Sequence, residues 1–397
     1  MMEGRFLMAK HITPRALRAL PERPNLERLR KEAKQRLKLL RQTDPAAALA
    51  AAQREVARDY GFPSWQRLVA LLRPIAEPAP YPGWQYRREK EIQIGEAKER
   101  GDWEAMEKAY RELIANTHQS RPDNRDSLEA DYALSLVQFS KKPEEARCIF
   151  DRLMRKPTPD ILSRYALFAR MLGEVDIDQW EAILRRAAAL GDDAMAFAQY
   201  GGFLWQVRGN RSEADYWYRK AAELDTGFSG IDAGMRGLYA TMLWEWGDPV
   251  TAETWFHLAF AKSRMNMQAM QAFAGMLTAI GRVEEGLALV PEILSHPQLQ
   301  GWPKRIVCGV ELFGWFLRYA QGDEAMRGQA LTEIRTRFNG FQPLGRFIDL
   351  GRNARAAAAA GHPAPDLVAA LAKALQADAG GAAEAIAEVE RCPAWRD

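Results

Sequence analysis

Cysteine is scarce in this chain and poorly placed for chemistry. Only Cys148, Cys308 and Cys392 occur among 397 residues, far apart and with no CxxC. That pattern supports neither a disulfide framework nor a zinc site, and a reducing compartment is the expected setting. Long apolar runs are missing too. Nothing approaches the roughly 18 apolar residues of a membrane span, and the opening MMEGRFLMAK lacks the apolar stretch of about 7–15 residues that a secretory signal needs. The expectation is a cytoplasmic protein with no membrane association.

Signatures of catalysis are equally thin. The histidines His11, His118, His257, His296 and His362 stand alone, with no HExxH or Cys/His metal spacing. The absence of GxxxxGK(S/T), GxGxxG and GxSxG leaves no phosphate cradle or nucleophile elbow. Asp176 and Asp178 read as a helix cap in a turn. No catalytic residue, cofactor or metal is therefore expected, and an enzyme with a groove-located site stands only as an alternative.

What the chain does have is an ordinary soluble composition, 47% apolar and 27% charged, with its charge unevenly spread. Residues 1–73 hold 16 Lys or Arg against 7 Asp or Glu, while the remainder is net acidic. Pro24–Arg41, PNLERLRKEAKQRLKLLR, places Leu26, Leu29, Ala33, Leu37 and Leu40 on one helix face. Arg28, Arg30, Lys31, Lys34, Lys38 and Arg41 cover the rest, a candidate patch for an anionic partner. Three readings stay open for it: a solvated face, contact with nucleic acid or an anionic surface through counterion release, and docking on an acidic protein. No aromatic interleaves these charges, which disfavours stacking on single strands. Asp44-Pro45 is expected to start a second helix, Gly61 to end it and Ser64 to cap a third, with Phe62 and Trp65 pinning the joint.

The stretches PNLERLRKEAKQRL and AAQREVARDYGFPSWQRL resemble a small helical module at the N-terminus of many bacterial ankyrin-repeat and related proteins. The resemblance implies a bacterial origin and no catalytic residues. The domain reading is a flexible basic tail over 1–23, a three-helix module over 24–73, a Pro-rich linker over 74–86, a repeat body over 87–340 and capping helices over 341–397.

In the body, Gly209-Asn210, Gly247-Asp248 and Gly281-Arg282 each punctuate a helical hairpin, and Ala214, Ala252 and Gly286 follow at a constant offset. The step from Ala252 to Gly286 is 34 residues. Gly202, Ala240 and Ala274 take the small-residue place in the first helices; Tyr218 with Ala221, and Phe256 with Ala259, supply the aromatic and small positions of the second. Pro291 is expected to kink its helix, and residues 340–352 read as a loop or poorly matched segment. This pattern resembles the tetratricopeptide repeat (TPR). The resemblance implies an all-α, right-handed TPR-like helical-hairpin solenoid carrying the small N-terminal helical module.

Family geometry also implies a concave groove lined by first helices. Carried onto this chain, the groove residues are Asp131, Gln138, Gln199, Phe203, Gln206, Thr241, Trp244, Gln268, Gln271 and Thr278. This wall is rich in amides and poor in positive charge, which disfavours the Lys/Asn/Arg clamp of chaperone-binding relatives. The expected function is a non-catalytic scaffold or adaptor holding a protein or peptide. Nucleic-acid association through the basic helix is the rival, and a homodimer built through the solenoid ends or Trp84 is a further expectation.

Overall fold

The computed structural model describes residues 17–21, 24–72, 84–117, 122–224, 226, 229–263, 266–296, 299, 304–344, 349–377 and 381–396. Helix makes up 79% of the described residues, which hold no strand, so the all-α class holds. The expected linker falls largely outside the described residues, as do His11 and His118.

Helices α1 (Leu26–Thr43), α2 (Leu49–Asp59) and α3 (Trp65–Leu71) form the head. The body then runs in neighbouring pairs: α4 (Trp84–Arg100) with α5 (Trp103–Ala115), α6 (Pro122–Ser135) with α7 (Pro143–Leu153), and α8 (Pro159–Met171) with α9 (Ile177–Leu190). Next come α10 (Ala194–Gln206) with α11 (Arg211–Glu223), α12 (Ser229–Glu245) with α13 (Pro249–Lys262), and α14 (Met267–Ala279) with α15 (Val283–Ala288) and α16 (Val290–Leu294). The chain closes through α17 (Lys304–Gln321), α18 (Glu324–Arg337), α19 (Leu350–Ala359), α20 (Pro365–Gln376), α21 (Ala382–Arg391) and the short α22 (Pro393–Arg396). Each first helix from α6 to α14 also touches the next first helix directly.

The recurring Gly-Asp/Asn pairs have a local cause. Gly101, Gly209 and Gly247 take φ of 65°, 65° and 86°, the left-handed state that ends a helix and that glycine adopts without steric cost. The next residue then caps the following helix: Asp102, Asn210 and Asp248 accept from the amides of Ala105, Glu213 and Thr251. Gly281 keeps the turn at φ 88°, but Arg282 has no capping oxygen and pairs instead with Glu285 and Glu253.

Small residues sit where paired helices cross. A methyl on Gly201 would come within 3.2 Å of the Tyr218 ring, and one on Gly286 within 2.8 Å of the Ala274 carbonyl, so larger side chains would force the axes apart. Gly202, expected at the first crossing, meets only the Tyr218 hydroxyl. Pro291 does break its helix, which divides at Leu289 into α15 and α16.

Two local expectations need correction. Asp44 does not cap α2. It accepts from the Ala46 amide in a turn, and the helix begins four residues later than Pro45, at Leu49. The supposed loop over 340–352 runs into α19, which pairs with α20. Its alanine-rich sequence is a strong helix former and carries no repeat marker, so the period gave no sign of it.

The head is packed on the body. Leu20, within the stretch expected to be a flexible tail, is 1% exposed. Its amide donates to Thr254 Oγ1 at 3.0 Å, and its carbonyl accepts from His257 Nδ1. Phe62 meets Trp255 with ring centroids 5.8 Å apart, and Arg67 pairs with Glu223. Beneath them lies Arg236, completely buried. Its guanidinium donates to the carbonyls of Leu71 at 3.1 Å, Leu258 at 3.3 Å and Ala222 at 3.4 Å. Leu71 and Ala222 end α3 and α11, so the cation faces the negative ends of two helices.

Replacing Arg236 by Met should strand these carbonyls in the joint and lower the unfolding free energy by about 2–4 kcal/mol. Urea denaturation reads that loss, and limited proteolysis should release the head from the variant before the wild type.

Candidate functional site

Periodicity selects one exposed stripe on each first helix. In α10, Met195, Gln199 and Gln206 are exposed and Gly202 is half-buried, while the residues between them are mostly buried. The same steps of four, three and four give Asp160, Arg164, Leu167 and Met171 on α8. On α6 and the turn after it they give Ser127, Asp131, Leu134 and Gln138. That spacing follows one side of a 3.6-residue helix.

Side-chain contacts show that neighbouring stripes share a face. Ser127 Oγ donates to Asp160 Oδ2 at 2.6 Å, and Arg164 Nε donates to Asp131 Oδ1 at 2.7 Å while also pairing with Asp160. Leu167, Met171 and Met195 remain 46%, 39% and 45% exposed. The face thus combines a fixed charge network at one end with apolar and amide side chains at the other.

On α12 the same register passes through Gly234, Leu238, Thr241 and Glu245, and there the open face stops. α19 returns across α14 and reaches α12 through one side chain. Arg352 lies over the Trp244 ring at 4.3 Å and donates to the Glu245 carbonyl at 2.6 Å. Asn353, fully buried, donates to Thr278 Oγ1 at 2.7 Å and to the Gly275 carbonyl at 2.9 Å.

The expected groove residues therefore divide. Asp131 is half-buried in the α6–α8 charge network, and Gln138, Gln199, Gln206 and, on α14, Gln268 are exposed. Phe203 is not: it is 4% exposed and set edge-on to Trp180 at 5.0 Å, because the stripe passes through Gly202 instead. Gln271 and Thr278 are 1% and 0% exposed beneath α19, and Trp244 and Thr241 are 5% and 8%. Arg164, Leu167, Met171 and Met195 were missed. Their signal was an apolar surplus on α8 and α10, which carry more apolar positions than one packed face requires.

The second candidate surface is α1. Arg28, Arg30, Lys31, Lys34, Lys38 and Arg41 are all exposed, with Leu29 and Ala33 turned inward. Lys31 pairs with Glu27 at 2.9 Å, and Arg41 Nε donates to the Ala47 carbonyl at 3.2 Å. None of the six takes part in the head–body hydrogen bonds and ion pairs described above.

No group of three or more His, Cys, Asp or Glu that could hold a metal ion occurs among the described residues, and no described helix is long and apolar enough to cross a membrane. Asp176 does cap α9, in a reciprocal pair with Gln179, whereas Asp178 pairs with Arg208. His257 and His296 are buried. Compared with protein-family models and with curated proteins, the chain matches none.

His362 fixes the hairpin that covers the face. Its Nε2 donates to the Tyr319 carbonyl at 3.0 Å, and its Nδ1 accepts from the Ala364 amide at 3.1 Å, a pairing that requires the neutral ring. Burial holds its pKa below the usual histidine value. The unfolded chain then binds the proton more readily, so this contribution to stability is present above about pH 6.5 and is lost as the pH falls below it. Unfolding curves between pH 7.5 and 5 should show the wild type losing stability relative to His362→Gln. Parallel curves for the two proteins would refute this.

Proposed function

We propose that this chain is a right-handed, TPR-like solenoid acting as a non-catalytic scaffold or adaptor, and that it holds a protein or peptide on the open face of α6, α8 and α10. One observation carries the reading: three successive first helices share the same four-three-four register, which leaves Leu167, Met171 and Met195 exposed together with Gln138, Gln199 and Gln206. Apolar side chains give up water on contact, and amides can pair with the backbone of an extended ligand. The Gly-Asp/Asn turns and the glycine crossings support the TPR assignment.

A second reading has its own support. The head docks through a different side, leaving the stripe of Arg30, Lys34, Lys38 and Arg41 facing solvent, with spacing close to that of helix turns. Nucleic acid would meet that stripe through its phosphates, with strong salt dependence.

Two double variants separate these readings. Leu167→Lys with Met195→Lys should reduce recovery of a cellular protein partner about tenfold or more, while Lys34→Glu with Lys38→Glu should leave recovery intact. The opposite pattern, with nucleic acid recovered in place of protein, would transfer the function to the head.

A further inference from the structure

Where the open face ends, a cavity of about 710 Å³ lies between α12, α19, α20 and α21, within the roughly 300–1,000 Å³ range of small-ligand sites. Thr241 and Glu245, the last two positions of the α12 stripe, form one wall, so the cavity continues the face. Its deepest lining is methyl groups: Ala354, Ala372 and Ala385 are 7%, 2% and 2% exposed.

Charge around the cavity is unevenly satisfied. Both lysine and arginine in the lining have carboxylate neighbours: Lys373 pairs with Glu388, and Arg355 lies 3.7 Å from Asp349. Asp349 also takes Arg352 Nε at 2.9 Å. Glu245 and Asp366 line the same space and make no ion pair among the described residues. Trp205 Nε1 donates to the Glu245 carboxylate at a long 3.5 Å, and burial pushes its pKa above the usual glutamate value. The adjoining wall already accommodates one cation, since the Arg352 guanidinium rests on Trp244.

We propose that this cavity binds an aliphatic chain ending in a cation, with the stem against the alanine floor and the charge between Glu245 and Asp366. Such a chain could be an arginine or lysine side chain of a peptide on the open face, or a free polyamine. The apolar stem replaces water over the alanines. The terminal cation supplies the ion-pair partner that the two solvent-exposed carboxylates lack. A ligand of the opposite sign would meet both free carboxylates and is disfavoured.

The peptide arm rests on the open-face reading; the polyamine arm does not. Calorimetric titration of the full chain uses two probes, spermidine and the blocked peptide Gly-Gly-Arg-Gly-Gly. Glu245→Gln with Asp366→Asn changes charge and almost no volume, and far-ultraviolet dichroism checks that the helix content is kept. At least one probe should bind the wild type, and the double variant should weaken it about tenfold or more. Spermidine alone binding identifies a polyamine site, and the peptide binding more tightly identifies a basic-residue subsite. Leu167→Lys with Met195→Lys should leave spermidine binding unchanged, so failure of the open face and failure of the cavity are distinguishable. Binding of neither probe, or equal binding by wild type and Glu245→Gln/Asp366→Asn, overturns the proposal.

Discussion

A single buried guanidinium governs how this chain is assembled. Arg236 sits among carbonyls from α3, α11 and α13, where an unpaired cation would carry a desolvation cost of several kcal/mol. Its donors can be satisfied there only while the head stays in place, because the Leu71 carbonyl belongs to the head. Leu20, Phe62 and Trp255 add apolar area around that polar centre. Head and body are thereby joined through an interior as well as through the Arg67–Glu223 ion pair at its edge.

This joint also decides which surfaces stay free. Because α1 turns Leu29 and Ala33 inward, its cationic stripe faces solvent. α19 packs over α14, and Asn353 supplies the hydrogen bonds that Thr278 and Gly275 accept. The first-helix face is left open over α6, α8 and α10, and ends in a cavity where α19 meets α12.

Local structure was largely readable from sequence because its causes are local. A left-handed glycine followed by Asp or Asn both stops one helix and caps the next, so Gly101-Asp102, Gly209-Asn210 and Gly247-Asp248 announced their hairpins. Close crossings demand small side chains, which marked Ala214 and Gly286. The candidate face was harder to read. Gln199 and Gln206 were legible from a fixed offset, but the same offset pointed to Phe203, because a rotation of one residue about the helix axis turns a side chain by about 100°. Gln271 and Thr278 misled for another reason: they have the polarity of a wetted wall, and nothing near them in the chain tells of Asn353.

By itself, then, the sequence determined the all-α class, the helix ends, the main hairpins and the sign of charge on α1. These depend on periodicity, capping and composition within a few residues. Only the tertiary structure decided that the head docks through Arg236, that α19 closes the face over α14, and that Glu245 and Asp366 meet across one cavity. Those contacts join residues 75 or more positions apart, and burial there is set by what covers a side chain rather than by the side chain itself.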